Sequence, residues 1–543
     1  MKKVSALILV LMVSGIFSCF VSGCGGGGKE MASGHITSIT PAEGATGVVV
    51  TRAITVVFNA DIDETTLTAA NVYLTRANGV VNVPGTIAYN AASKTLTFTP
   101  RFPMVGGALY TFTMTHSVMT KAVNAAGDFT STFTTQNVPI LYTSNSDVAP
   151  TMYVNAWSMA QDGSNVLKLT NYTTDGFVFF IPPLWSPDYT RVVYMVVQDM
   201  SHTLPCNIYV MNADGSGQTN ATGWTANSGT IFYRWFPDGS KILFVFTPDG
   251  TVIPDTDRIY DLASMNPDGT NFLNFTNLPT GRMAFPLLDF SPDGTKIVYS
   301  SGEDDGGPVD IHTINSDGTG DVQLTNVGVG NEALLPLYSP DGTQIYYSSG
   351  TDSTKNMYRM NADGSNVETI VSVSANQGAV LWGISPDGTQ ILYTVEDDTL
   401  GLSDLYVANI DGSSAVKITN ATAGQYVQGA LWSPDGSRIA YTFGKNIVAL
   451  GDPINLFVVN RDGTNNTNLT NYAAGIFAAH PFLPFYYARS MSWSTDGAGI
   501  VYIRYDKNVE NMNIDFANAD GSGITHLTNN TAANSDSLFG DWW

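Results

Sequence analysis

The chain has 543 residues, 43% hydrophobic, 11% aromatic and only 13% charged, with 24 Lys+Arg against 47 Asp+Glu for a net charge of −23. So little charge with so many aromatics excludes a disordered chain, and scarce Lys, Arg and Glu argue against a coiled coil or helical bundle. The acidic balance disfavours DNA or RNA, since phosphate binding is led by Lys and Arg, so no nucleic-acid partner is expected.

Lys2 and Lys3 precede an apolar run from Val4 to Phe20, the layout of a secretory signal peptide over residues 1–23. Val21-Ser22-Gly23-Cys24 follows and resembles a bacterial lipobox. That resemblance implies cleavage before Cys24 and a diacylglycerol on its thiol. Cys19 is a rival with a poorer approach through Phe17, and a plain signal peptide with an incidental Cys24 is the alternative. Gly25 to Gly28 make a flexible tether within a segment 24–34. Gly25 stands where lipoproteins retained at the inner membrane usually carry Asp, which implies a lipid-anchored protein of the outer membrane, periplasmic or surface-exposed. With Cys24 acylated, Cys206 has no partner for an internal disulfide.

Residues 35–137 alternate as short strands do, in Ala53 to Phe58, Thr95 to Thr99 and Ala108 to Met114, separated by turn clusters such as Pro41-Ala42-Glu43-Gly44. This spacing predicts a β-sandwich. Pro41, Gly44, Val57-Phe58-Asn59, Leu96 to Pro100, Tyr110 and Phe133-Thr134-Thr135 resemble the bacterial Ig-like domains of cell-surface proteins, although Ala126 stands where that group carries an acidic residue. The resemblance implies a spacer.

Residues 138–543 repeat. Ser-Pro-Asp-Gly or a variant recurs at Ser186, Phe236, Ser291, Ser339, Ser385, Ser433 and Ser494, usually after an aromatic such as Trp185, Trp235, Phe290, Tyr338, Trp432 or Trp493. A second signal, Asn-x-Asp-Gly-Ser/Thr, recurs at Asp214, Asp268, Asp317, Asp363, Asp411, Asp462 and Asp520, with a weaker copy at Asp162, and its successive Asp residues lie 46 to 58 apart. Strands fill the intervals, and a fourth strand ends in Leu-Thr-Asn or a variant. Four strands per repeat of this length predict a propeller blade. These motifs resemble the WD-like repeats of the TolB family and the propellers of prolyl-oligopeptidase-type peptidases. The region opens at Ile140-Leu141-Tyr142 as a second strand, with a third at Met152 to Asn155 and a fourth at Val166 to Thr170, while Ser537 to Trp543 reads as an unpaired first strand. The expected fold is therefore all-β: an Ig-like β-sandwich, then an eight-bladed β-propeller closed by its C-terminal strand. TolB itself has six blades.

Asp-Gly between strands is a hairpin signal, because Gly takes positive φ and Asp bonds its own backbone, so these pairs are read as structural. The aromatics before the first signal are read as packing between blades. Both turns fall on one face, leaving the variable connections on the other. The longest, Tyr472 to Ser490, carries the candidate binding residues His480, Phe485, Tyr486, Tyr487 and Arg489. Glu303, Asp304 and Asp305, beside Gly306 and Gly307, offer oxygens to Ca²⁺, but neither this cluster nor Glu396-Asp397-Asp398 matches an EF-hand, and both are read as solvated loops. No cofactor is otherwise expected.

No Gly-x-Ser-x-Gly or His-Glu-x-x-His occurs. The chain ends with the propeller, so the resemblance to peptidase propellers implies no peptidase activity. The expectation is a non-catalytic envelope lipoprotein, anchored to the membrane by lipid, whose rigid propeller binds an envelope protein or a glycan. The alternative is a propeller enzyme, a polysaccharide lyase or hydrolase acting at the channel mouth, where His480, Arg489 and Lys507 would have to converge.

Overall fold

The computed structural model describes residues 35–541 except 51, 77–81, 84, 101–103, 105, 122–127, 137, 146–153, 174–176, 179–181, 198–205, 225–227, 248–259, 280, 304–306, 446–451, 479–489, 495 and 532–535. Among these residues the fold is all-β, with one short 3-10 turn at Glu64–Thr66 and no α-helix. The leader and Cys24 lie outside the described residues.

Two sheets form the first domain. One runs in the spatial order Ile36–Thr40, Ile54–Phe58, Thr95–Pro100, Gly85–Asn90, and the other Ala45–Val48, Phe129–Thr135, Leu109–Met114, Val72–Arg76, Asn82–Val83. Alternation decides what they enclose: Ile54, Val56 and Phe58 are buried from one sheet, and Val72, Leu74, Tyr110, Phe112 and Phe133 from the other. Inner residues of two packed sheets make one core, so this is the Ig-like sandwich expected from the sequence.

Beyond Ile140 the described strands fall into seven successive four-stranded units and one composite sheet. The innermost strands of units 2 to 6 are Gly229–Trp235, Arg282–Phe290, Glu332–Tyr338, Gln377–Ile384 and Gln425–Trp432, and those of units 1 and 7 are described in two pieces, Phe177–Val178 with Leu184–Trp185 and Ile476–Phe477 with Met491–Trp493. Unit 3 shows the plan: Arg282–Phe290, Lys296–Glu303 and Val309–Asn315 pair antiparallel in succession, and Val322–Gln323 closes the outer edge. This is a propeller-type domain. In the composite sheet Ser537–Asp541 pairs antiparallel with Ile140–Ser144, followed by Asn155–Met159 and Leu167–Lys168. The third strand is described from Asn155 to Met159, and Met152 and Tyr153 of its expected span lie outside the described residues.

The repeated signals are hairpin turns. In the second, each Asp Oδ1 accepts the backbone N–H (2.9–3.0 Å) and hydroxyl (2.6 Å) of the Ser or Thr two residues on, as at Asp214, Asp268, Asp317, Asp363, Asp411 and Asp462. In the first, Ser Oγ donates to the Asp at 2.6 Å, as Ser291 does to Asp293 and Ser339 to Asp341. The preceding aromatics join neighbouring units: Trp235 Nε1 donates to Leu184 O and Trp493 Nε1 to Leu431 O, both at 3.3 Å.

Candidate binding face

The face opposite the Asp-Gly turns carries the connections between second and third strands and between fourth and next innermost strands. A side-chain oxygen from Asn or Asp organises it. Asn155, Asn207, Asp261, Asp310, Asn356, Asp404, Asn455 and Asn513 occupy the same place near the head of successive third strands. The side-chain oxygen of each accepts the backbone N–H seventeen positions later, from Tyr172, Trp224, Leu278, Val327, Val373, Ala421, Tyr472 and Asn530, at 2.6–3.0 Å. In seven cases a Thr two residues earlier donates its hydroxyl to the same oxygen at 2.7–3.2 Å. That Thr oxygen in turn accepts the N–H next to the Asn or Asp, at 2.8–3.1 Å. A buried polar group must find partners, and here one side chain satisfies the start of each crossover to the next unit. The Thr of the Leu-Thr-Asn ending is therefore a structural donor.

Parallel bridges link the head of a third strand to the head of the next innermost strand: Cys206 to Gly229, Tyr260 to Met283, Val309 to Glu332, Lys355 to Gly378 and Ile454 to Phe477. Charged residues cluster at this level in units 3 to 5. Arg282 Nη1 lies 3.9 Å from Glu303, Lys355 Nζ lies 3.2 Å from Glu332 and 3.9 Å from Asp352, and Gln377 Nε2 donates to Asp397 at 2.8 Å. Asp397 also accepts Leu400 N at 2.9 Å. The Gln377 and Leu400 hydrogen bonds hold its carboxyl below the usual range. One member of the second acidic cluster is thus a turn cap. Glu303 of the first is exposed and faces Arg282, while Asp304 and Asp305 lie outside the described residues. Among the described residues no group of three or more His, Cys, Asp or Glu is placed to hold a metal ion.

Five consecutive innermost strands carry a bulge at nearly the same height. The register shifts between Thr230 and Phe232, Ala284 and Leu288, Leu334 and Leu337, Leu381 and Gly383, and Val427 and Gly429. One extra residue, or two in unit 3, re-aims each strand locally, and Ile231, Leu287, Leu335, Trp382 and Gln428 are partly exposed at these bulges. Just beyond, Arg234 Nη1 sits 3.6 Å from Asp289, whose other oxygen accepts Tyr338 N at 3.1 Å. Burial pushes the Asp289 carboxyl above its ordinary value despite Arg234.

Ionisable groups also enter a column of paired rings between second and third strands. The pairs Tyr194–Tyr209, Tyr347–Tyr358, Tyr393–Tyr406 and Tyr441–Phe457 lie 5.1–5.6 Å apart. In unit 3 His312 takes the place of the second ring; its Nδ1 faces Asp321 Oδ2 at 3.3 Å, and Tyr299 donates to the other oxygen at 2.8 Å. His312 Nε2 is buried with no hydrogen-bond partner. In unit 7 the second ring is replaced by Asp515, wholly buried, which accepts Arg504 Nε and meets His526 Nδ1, both at 2.9 Å. Tyr472 also reaches Asp515 at 3.3 Å, and its hydroxyl lies 2.6 Å from that of Tyr502. Burial pushes both phenols well above the ordinary tyrosine range. A buried carboxylate needs such partners, and this one is fully engaged.

His480, Phe485, Tyr486, Tyr487 and Arg489 lie outside the described residues. Lys507, on the next connection, donates its backbone N–H to Gly475 O at 2.9 Å.

Residues 251–471 match the TolB beta propeller domain model and residues 33–135 the bacterial Ig-like domain model. Among solved structures the chain is similar to an oligogalacturonate lyase in complex with manganese, with 13% identity and a TM-score of 0.46 over 70% of this chain and 97% of that one. It is also similar to TolB from Acinetobacter baumannii, with 15% identity and a TM-score of 0.32 over 63% and 80% of the two chains. Dipeptidyl peptidase 4 from Porphyromonas gingivalis is similar at 9% identity and a TM-score of 0.49; the match covers 70% of this chain and 58% of that protein.

Proposed function

We propose that this chain, with its bacterial Ig-like domain and its TolB-type β-propeller domain, is an envelope lipoprotein that binds an envelope protein or glycan without catalysis. The propeller is an eight-bladed ring closed by its own C-terminal strand, and the connection-bearing face is the recognition surface. The TolB-like repeats favour an envelope location, and the lipobox favours a lipid anchor at Cys24, on the outer membrane.

Closure is supported by three contacts that continue the internal pattern across the ends of the domain. Ser537–Asp541 supplies the innermost strand for Ile140–Ser144. Met512 bridges Asp536 in parallel, as Val309 does Glu332. A Cβ built at Gly163 would meet Leu527 at 3.5 Å, as one at Gly364 would meet Leu324 at 3.2 Å.

The observation that carries the binding reading is the division of labour between the faces. Asp-Gly turns consume the repeated carboxylates on one face, while the other is held by a fixed Asn or Asp per unit and varies beyond it. A preorganised frame with variable connections lowers the ordering cost of recognition. The test is a pull-down from envelope extract with a glycan array, using the intact mature protein and a His480→Ala/Tyr486→Ala/Tyr487→Ala variant. Loss of the captured partner or glycan supports the reading. Unchanged capture by the variant rejects this loop as the site, and turnover of a polysaccharide by the purified protein rejects the non-catalytic assignment.

A further inference from the structure

Three of the Ser-Pro-Asp-Gly turns depart from the repeat; one changes only its first residue, to Phe236, and the other two, which lose the Gly or the Pro, flank the seam. In five consecutive turns the Gly packs on the Pro of the turn before it. A Cβ at Gly239, Gly294, Gly342, Gly388 or Gly436 would lie 3.4, 3.7, 3.2, 3.6 or 3.1 Å from Pro187, Pro237, Pro292, Pro340 or Pro386 respectively. The seam sheet has no such turn, because its innermost strand ends at Asp541 and its second begins at Ile140. Unit 1, next to it, has no Pro beneath its turn and carries Tyr189 in place of Gly. Unit 7, on the other side, has no Gly above its turn and carries Thr495 in place of Pro.

Tyr189 keeps the left-handed backbone of the glycine it replaces, with φ 57°, a conformation that is strained for a bulky side chain. It is 8% exposed and lies 6.2 Å from Trp185. Trp185 itself donates to Pro139 O at 3.1 Å. Tyr189 and Trp185 belong to one continuous apolar cluster with Val50 and Met104 of the sandwich, Val138 of the connection, and Ile140 and Leu538 of the seam.

The sandwich touches the same two turns with polar groups. Gln136, just past its last strand, donates Nε2 to Asp188 O of unit 1 at 3.4 Å. Arg76, at the end of Val72–Arg76, donates Nη2 to Asp496 O of unit 7 at 3.2 Å. The Ig-like domain therefore spans the place where the seam sheet lacks its own turn.

We infer that the Ig-like domain is a clasp as well as a spacer. It docks on the two altered turns beside the seam and holds the C-terminal strand in the ring. The inference rests on the closed ring proposed above. It also sets the connection-bearing face away from the sandwich, since both docking turns belong to the Asp-Gly face.

Hydrogen exchange read by mass spectrometry on the intact mature chain tests it, comparing the seam strands Ile140–Ser144 and Ser537–Asp541 with the internal pair Gln344–Thr351 and Thr354–Asn361. In the unaltered protein the seam should exchange slowly, as the internal pair does. Arg76→Ala, remote from the ring core, should speed the seam alone by about tenfold, the effect of one lost hydrogen bond on a local opening. Tyr189→Gly should speed it further. A slow seam unmoved by Arg76→Ala overturns the clasp and leaves the ring standing. A seam that exchanges freely in the unaltered protein overturns the closed ring, and the clasp with it.

Discussion

Replacing Asp404 by Ala and by Asn separates the role of an acceptor from that of a charge. Asp404 is 5% exposed, and its Oδ1 accepts both Thr419 Oγ1 and Ala421 N at 2.8 Å. Its other oxygen meets Lys417 Nζ at 2.7 Å, but the Lys417 side chain is 42% exposed. Removing the carboxylate strands the Ala421 N–H, at about 1–3 kcal/mol, and loses the Thr419 bond, at about 1 kcal/mol. Asp404→Ala should therefore cost about 2–4 kcal/mol. Asp404→Asn keeps the oxygen and loses mainly the solvent-screened ion pair, for about 1 kcal/mol or less. Hydrogen exchange over residues 402–427 should accelerate by about two orders of magnitude in the Ala variant and by less than about tenfold in the Asn variant. Equal damage from both would show that charge, and not the acceptor position, holds the crossover. A silent Ala variant would refute the structural role of the whole column.

Other outcomes follow from the same geometry. His312→Phe should restore the stacked pair found in units 4 to 6 and remove the unpartnered Nε2, raising the melting temperature by the equivalent of about 1 kcal/mol; a lower melting temperature would show that the Asp321 contact matters more. Acid should destabilise the propeller. Hydrogen bonds from Ser or Thr hold Asp214, Asp317, Asp363, Asp411 and Asp462 below the usual carboxylate range, so the unfolded chain binds more protons as pH falls. Stability from these turns should be fully present above the ordinary Asp pKa of about 3.9 and fall as pH drops through it; a melting temperature flat from neutrality to about pH 3 would contradict this. Deleting Asp541 to Trp543 removes the Leu141–Asp541 pair and should lower the melting temperature and expose the seam edge to aggregation, which unchanged melting and a monodisperse sample would refute.

Turn chemistry was readable from the sequence because it is local. Ser291, Asp293 and Thr295 bond within a few residues, so their spacing reveals their role, and the aromatics before them declare themselves by recurrence. Pairing of Leu141 to Ser144 with Ser537 to Asp541 was legible for a different reason: the first segment reads as a second strand with no first strand before it, and the last as a first strand with no partner. The acceptor column was not, because Asn and Asp share the task and the Thr that completes it lies fifteen residues away. Nor were the inner-strand bulges, since Ile231 or Trp382 reads as one more strand residue until the register is known. Tyr189 was visible as a departure from Asp-Gly, but its burial beside Trp185, in a cluster shared with Val50 and Met104 of the sandwich, depends on packing between distant segments.

Ring closure is tested most directly at the seam itself, where Ser144 Oγ and Ser537 Oγ lie 2.9 Å apart on directly paired residues. A Ser144→Cys/Ser537→Cys variant, made with Cys206→Ser to leave no competing thiol in the propeller, can be oxidised and digested for peptide mapping. A closed ring predicts an intramolecular disulfide joining the peptides that contain the two positions, in a monomeric protein. Free thiols after oxidation, or a disulfide formed only between molecules, would contradict closure by the chain's own C-terminal strand.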